Sequence, residues 1–124
     1  YYVMPTVFTD VTQNMRIAKE EIFGPTAVII KFSSTDNIVE LANDSIYGLC
    51  ASIWSQNIPG AMKMANKIRA GTVWINQHML KGQDLPWGGF KQSGFGKENG
   101  TLGLEEYTQV KWISFNLNEA KKKQ

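Results

Sequence analysis

Three runs of mainly apolar residues constrain the fold of this chain more than any other feature. They cover residues 27–32, 47–55 and 72–76, and their apolar side chains are continuous rather than alternating. Such runs are typical of strands buried on both faces of a parallel sheet. Helical patterns at 37–43 and 61–69 separate the three runs. The order predicts an α/β fold, in which right-handed crossover helices connect the strands of a parallel sheet.

Residue types that start and stop helices set the ends of the helical segments. A first helix over 15–23 is predicted to stop at Gly24-Pro25, because a left-handed glycine and a following proline end helices. Residues 33–36 (Ser-Ser-Thr-Asp) supply an N-cap to the second helix. Pro59 stands at the start of the third helix, where a missing N–H is tolerated.

The periodic pattern stops after residue 76. Residues 77–103 carry six glycines beyond Gly82, and a loop of this length is generally functional or disordered. A short helix is predicted at 102–107. Residues 109–117 alternate and therefore predict a strand. Because that strand has no neighbour in sequence to pair with, we predict that it pairs with a strand of another subunit rather than remaining an exposed edge.

Length, charge and cysteine content exclude several classes of protein. The chain has 124 residues, a net charge of +2 and no basic stripe with interleaved aromatics, which argues against a nucleic-acid partner. No apolar run reaches about 18 residues, so the sequence predicts no membrane span. The single cysteine excludes an intramolecular disulfide, and with no secretory leader visible we expect a cytoplasmic location. We expect a modest core, since a domain of this size buries roughly two-thirds of its unfolded surface.

Residues 20–25 (Glu-Glu-Ile-Phe-Gly-Pro) form the first motif that can carry chemistry. Glu21 and Phe23 stand two residues apart, immediately before a Gly-Pro turn. A carboxylate there can accept hydrogen bonds from vicinal hydroxyls, such as those of a ribose. An aromatic face beside it can pack against a ribose or nicotinamide ring. The alternative is a solvated glutamate and a core phenylalanine.

Residues 86–94 (Pro-Trp-Gly-Gly-Phe-Lys-Gln-Ser-Gly) form the second motif. The indole face of Trp87 can attract a quaternary ammonium group by about 0.5–2 kcal/mol. Asp84 would favour a cationic substrate, whereas Lys81 in the same loop would oppose one. The alternative is that Trp87 is a packing aromatic without a role in binding.

Two residues that could suggest other chemistry are set aside. Cys50 lies within an apolar strand and has no adjacent base, so we predict a structural cysteine. His78, the only histidine, has no Cys, Asp or Glu at ligand spacing, so no zinc site is predicted.

In this order, the two motifs resemble the C-terminal quarter of the NAD(P)-dependent aldehyde dehydrogenases, in particular of betaine and amino aldehyde dehydrogenases. The resemblance runs from residues 5–8 to 107–111, nearly the whole chain. It implies that residues 1–95 form the second half of the α/β catalytic domain, and that 96–124 form a linker helix, an oligomerisation strand and a charged tail. It also implies that the nucleophilic cysteine, the general-base glutamate and the Rossmann half lie upstream of this chain.

The resemblance also implies a role for individual residues. Glu21 would hold the nicotinamide ribose, and Phe23 would flank the nicotinamide ring. Trp87 would line the aldehyde tunnel, where tryptophan is frequent in members that oxidise betaine aldehyde or amino aldehydes. Glu98 would belong to a proton relay leading to solvent, the alternative being a surface carboxylate paired with Lys97.

A metal ion and an assembly are implied as well. In some members, backbone carbonyls at the positions of Lys91 and Gly94 coordinate a potassium ion, and hard cations do take carbonyl oxygens. The C-terminal strand pairs with another subunit in the family, and dimers assemble into tetramers. The resemblance thus implies a homo-oligomeric oxidoreductase that oxidises an aldehyde to a carboxylic acid with NAD or NADP, of which the isolated chain would be an inactive part. The alternative is a non-catalytic α/β module for binding or oligomerisation.

Overall fold

Short strands and helices alternate along the chain, as the sequence predicts. The computed structural model describes residues 1–80 and 82–117. No helix in this described part has the length and apolar character that crossing a bilayer requires. The elements in chain order are β1 (Thr6–Phe8), α1 (Arg16–Lys19), β2 (Thr26–Val28), α2 (Thr35–Asn43), β3 (Tyr47–Gly48), β4 (Cys50–Ile53), α3 (Ile58–Ala65), β5 (Thr72–Ile75), β6 (Phe90–Lys91) and α4 (Gly100–Glu105).

The strands form three pairs instead of one sheet. β1 and β2 are parallel, and the strand predicted over 27–32 contracts to β2 because its partner β1 has only three residues. β4 and β5 are parallel over four positions, with α3 as the crossover between them. β3 and β6 are antiparallel. The α/β class and the parallel pairing are confirmed, but the described residues do not join the pairs into one sheet.

The helices α2 and α3 begin where their capping residues predict. Ser34 Oγ accepts a hydrogen bond from the backbone N–H of Asn37, at 3.4 Å, within the predicted cap of α2. Asn57 Oδ1 accepts one from the N–H of Gly60 at 3.0 Å, and Pro59 occupies the first turn of α3. Each side chain satisfies an N–H that the first turn of a helix leaves without a backbone partner.

The first helix is shorter than predicted. α1 ends at Lys19 because Glu20 adopts extended backbone angles, with φ −98° and ψ 142°. Phe23 has a φ of +55°, in the left-handed region, and a right-handed helix cannot pass through such a residue. The helix predicted over 15–23 is therefore wrong beyond Lys19. Glu21 and Phe23 lie in an irregular connection between α1 and β2.

The core of the chain is much smaller than its composition predicts. Among the described residues, the buried hydrophobic side chains are those of Val11, Ala61 and Trp74. The chain exposes 10887 Å² of surface. A compact monomer of 13.9 kDa would expose about 6,700 Å². The expected two-thirds burial is therefore not reached, and much apolar surface stays open.

The strand predicted over 109–117 is not formed within this chain. Residues 109–116 belong to none of the strand pairs in the described part of the chain. Pairing with another subunit stays a prediction.

The short helix predicted at 102–107 appears as α4, two residues earlier. Lys81 and the charged tail at 121–123 lie outside the described residues. The apolar side chains of residues 109–117 are exposed, namely those of Val110, Trp112, Ile113, Phe115 and Leu117.

Candidate functional site

Trp87 and Glu98 face each other across a backbone bridge. The N–H of each residue donates to the carbonyl oxygen of the other, and both N···O distances are 2.7 Å. The bridge closes the intervening residues into a loop, called the 88–97 loop below. Two residues to which the sequence gives separate roles are thereby held side by side.

Close backbone packing between this region and α4 depends on glycine. A Cβ at Gly100 would lie 2.6 Å from the carbonyl oxygen of Asp84, and its φ of +58° disfavours any other residue. A Cβ at Gly103 would lie 2.9 Å from the carbonyl carbon of Glu98. The α4 backbone therefore packs directly on Glu98, which fixes one side of the Trp87–Glu98 bridge.

A cavity of about 780 Å³ lies between the 88–97 loop and α4. Three of the predicted site residues line it: Trp87, Gly94 and Glu98. Lys91 does not line it, and its Nζ donates instead to two backbone carbonyl oxygens, both at 2.9 Å. Other lining residues are Leu49, Phe95, Lys97, Asn99, Leu104, Glu106 and Tyr107.

Trp87 packs against an aromatic cluster that the sequence analysis missed. Its ring stacks on the buried Trp74, with centroids 6.0 Å apart and an interplanar angle of 30°. Trp74 Nε1 donates to the carbonyl oxygen of Leu80 at 2.9 Å. His78 meets Trp74 edge-on, and its Nδ1 lies 2.8 Å from Ser52 Oγ. Trp87 is thus both a packing aromatic and a wall of the cavity. No local signal predicts these contacts, since they join β4, β5 and the following loop.

Glu98 is exposed at the cavity and does not form the predicted alternative ion pair. The Lys97 ammonium donates instead to the carbonyl oxygens of Gly88 and Gly89, at 3.1 and 3.2 Å. Glu98 is thus a surface carboxylate in this chain, but its predicted pairing with Lys97 is wrong. Glu98 lines the same cavity as Trp87, and an exposed acid there could exchange protons with solvent.

The two adjacent glutamates of the 20–25 motif differ in their partners. Arg16 binds both carboxylate oxygens of Glu20, at 2.8 and 2.9 Å, and this hydrogen bonding lowers the pKa of the Glu20 carboxyl. The pair has the i,i+4 spacing that joins charges on one helix face, a signal present in the sequence. Glu21 has no hydrogen-bond or ion-pair partner within the described part of the chain. Its carboxylate is free to accept hydrogen bonds from a ligand.

Phe23 presents its ring to the surface beside Glu21. Its side chain is 93% exposed, and its backbone lies in the left-handed region with φ +55°. A bulky residue in this conformation is uncommon and costs on the order of 1–3 kcal/mol. Neither Phe23 nor Glu21 lines the cavity beside Trp87. Phe23 is not a core residue within this chain, and the connection offers a ring face and a carboxylate to a planar, hydroxyl-bearing ligand.

One protein family accounts for nearly the whole sequence. The sequence profile of the aldehyde dehydrogenase family matches residues 1–113, including both motifs and the 88–97 loop. The chain belongs to the aldehyde dehydrogenase family. All four side chains predicted to act in this aldehyde dehydrogenase segment, those of Glu21, Phe23, Trp87 and Glu98, lie within the matched residues.

Named relatives agree with this assignment. The betaine aldehyde dehydrogenase of Bacillus subtilis (strain 168) is 47% identical over 120 residues, which are 97% of this chain and 24% of that protein. Aldehyde dehydrogenase, cytosolic 2, of Macroscelides proboscideus is 45% identical over 119 residues, which are 96% of this chain and 50% of that protein. The chain spans about a quarter of the length of most such relatives.

Solved aldehyde dehydrogenase structures share the architecture. The NAD+ complex of an aldehyde dehydrogenase from Bacillus cereus superimposes with a TM-score of 0.90 at 53% identity, over 94% of this chain and 24% of that one. The betaine aldehyde dehydrogenase of Staphylococcus aureus, in complex with NAD+, gives 0.81 at 48% identity, over 83% of this chain and 20% of that one. The predicted family is confirmed, and both of these relatives were solved with NAD+ bound.

Proposed function

We propose that this chain is the C-terminal part of an NAD-dependent aldehyde dehydrogenase, called the parent below. It supplies a clamp for the cofactor and one wall of the aldehyde site, while the parent oxidises the aldehyde to a carboxylic acid. The observation that carries the proposal is the unpaired Glu21 carboxylate, two residues before the exposed ring of Phe23. It occurs in a family with members solved in complex with NAD+.

The geometry around Glu21 suits a nicotinamide cofactor, which accepts the hydride when bound. A free carboxylate can accept hydrogen bonds from both hydroxyls of a ribose without first breaking an ion pair. The exposed Phe23 ring offers a face for the nicotinamide or its ribose. NADP is the alternative to NAD, because residues that distinguish the two belong to a Rossmann half, which this chain does not include.

The substrate we propose is betaine aldehyde or an amino aldehyde, with neutral aliphatic aldehydes as the alternative. Trp87 presents an aromatic wall to the cavity, and such a face attracts an alkylammonium group. Asp84, exposed on the loop before it, would add negative charge. Glu98, at the same cavity, is proposed as the distal acid of the proton relay.

A potassium ion and an assembly complete the proposal. The backbone carbonyls of Lys91 and Gly94 are the proposed ligands of the ion. The exposed apolar segment 109–117 is proposed to pair with another subunit, which would make the parent a dimer or tetramer. A cytoplasmic location fits the relative that is named cytosolic.

The test is aldehyde oxidation by the purified parent, followed by the absorbance of reduced nicotinamide. Betaine aldehyde, an amino aldehyde and a neutral aliphatic aldehyde are each supplied with NAD and with NADP. We expect NAD reduction, fastest with one of the two cationic substrates. Failure to reduce either cofactor with any aldehyde would contradict the proposal.

A further inference from the structure

Lys97 places a positive charge inside the 88–97 loop. Its Nζ donates to the carbonyl oxygens of Gly88 and Gly89, at 3.1 and 3.2 Å, and lies 5.2 Å from the centroid of the Phe90 ring. Two carbonyl dipoles and an aromatic face are surroundings that favour a cation. The side chain is half-buried, so these contacts replace part of the water around the ammonium.

The stem of Lys97 packs on the same backbone. A Cβ at Gly88 would lie 3.0 Å from Lys97 Cδ, 3.3 Å from Lys97 Nζ and 2.6 Å from the carbonyl oxygen of Gly96. The glycine therefore leaves room for the lysine side chain to cross the loop. Both the aliphatic stem and the ammonium of Lys97 therefore contact the loop backbone.

Lys97 joins the two ends of the loop. Gly88 follows Trp87 directly and Lys97 precedes Glu98 directly, while Trp87 and Glu98 form the backbone bridge. The ammonium thus closes the loop a second time, next to the two residues that face the cavity.

We propose that Lys97 is a positioning residue whose tethered ammonium organises the 88–97 loop and thereby holds Trp87 and Glu98 at the cavity. Its part in aldehyde oxidation rests on the proposed function above. The loop structure itself does not, because the ammonium acts on carbonyl oxygens of this chain.

The experiment compares Lys97→Ala with Lys97→Arg in the parent, and uses Lys63→Ala as the matched control. Lys63 is an exposed lysine of α3 with no hydrogen-bond or ion-pair partner in the described part of the chain. With a neutral aldehyde, we expect Lys97→Ala to lower kcat/KM by about 10- to 100-fold, as misplaced site residues do. Lys97→Arg should recover most of the loss, and the KM for NAD should stay within about twofold in every variant.

A second readout needs no aldehyde. Lys97→Ala removes the atoms of an n-propylammonium ion, so that ion should bind the vacated space and raise the Tm of this variant by about 2–4 °C. Tetramethylammonium, which cannot donate hydrogen bonds, should not raise it at equal ionic strength. Wild type and Lys63→Ala should respond to neither ion.

Each outcome decides the proposal. It is overturned if Lys97→Ala matches wild type in both kcat/KM and Tm, or if n-propylammonium raises the Tm of all variants alike. If Lys97→Ala does not fold, Lys97→Met keeps an unbranched stem of similar length without the charge and should show the same loss of kcat/KM, whereas wild-type values would overturn the proposal. If wild type oxidises no aldehyde, the proposed function fails, and the Tm comparison still decides the role of Lys97.

Discussion

At the residue scale, partners distinguish side chains that look alike in the sequence. Glu20 and Glu21 are adjacent carboxylates, but Arg16 binds Glu20 at two oxygens and leaves Glu21 unpaired. A ligand that uses Glu21 breaks no contact within the chain. Similarly, Lys97 turns away from Glu98 toward backbone carbonyls, which leaves Glu98 facing the cavity.

Trp87→Ala should change which aldehyde the parent prefers. Loss of the indole face should lower kcat/KM for betaine aldehyde more than for 3,3-dimethylbutanal, its neutral isostere, by about 2- to 30-fold. Both substrates lose the same packing, and only the cation loses its attraction to the ring. Steady-state kinetics of the two substrates measures the ratio, with Trp87→Phe as an intermediate. Equal losses on both would leave Trp87 as a neutral wall.

The Lys19–Asp44 pair should add a pH-dependent contribution to stability. The hydrogen bond from Lys19 lowers the pKa of Asp44. A carboxyl with a lowered pKa stabilises the fold above its unfolded value and loses that contribution as pH falls through the folded value. Asp44→Asn should therefore lower the Tm of the parent slightly at neutral pH, and the difference should vanish as pH falls below about 4. A difference that persists in acid would show that charge is not its cause.

At the element scale, the sequence predicts what local interactions decide. The β4–α3–β5 unit appears in the predicted order because its cap and apolar runs act within a few residues, although α3 covers Ile58–Ala65 rather than the predicted 61–69. The first helix fails because Phe23 adopts a left-handed conformation that no local propensity favours. Trp87 and Glu98 could be chosen from a motif, but their bridge and the stacking of Trp87 on Trp74 depend on contacts between distant segments.

Ile113→Pro should break the assembly of the parent. Proline removes an N–H from the middle of the predicted interface strand, so one of the backbone hydrogen bonds to the partner strand cannot form. Ile113→Val, which keeps both the N–H and the β-branched side chain, should leave the assembly intact. Light scattering measures the mass of each variant. An unchanged mass for the proline variant, or a monomeric wild type, would contradict the interface role.

At the scale of the whole molecule, exposed apolar surface is the dominant feature. A second cavity, of about 980 Å³, lies between α2, β4 and α3. The chain covers about a quarter of most relatives, so the rest of the parent is the proposed cover for these faces. The apolar residues that line this second cavity include Phe32, Ile38, Val39, Trp54, Met64 and Ile68.

The isolated chain should therefore self-associate and show no aldehyde oxidation. Its exposed apolar residues are enough to drive association. Its one cysteine, Cys50, lies in β4, and no side-chain hydrogen bond joins it to a base in the described part of the chain. Light scattering and an absorbance assay with NAD measure the two properties. Turnover that survives Cys50→Ala and repurification would contradict the proposal that the catalytic nucleophile belongs to the rest of the parent.

The most direct test of the cofactor clamp compares Glu21→Gln with Glu20→Gln in the parent. Single-turnover hydride transfer to NAD is measured for each, with aldehyde in excess. We expect Glu21→Gln to slow hydride transfer by about 10- to 100-fold, because the nicotinamide is no longer held in place. Glu20→Gln should stay within about twofold of wild type, since it disturbs only an exposed pair with Arg16. Equal rates in wild type and Glu21→Gln would contradict the account.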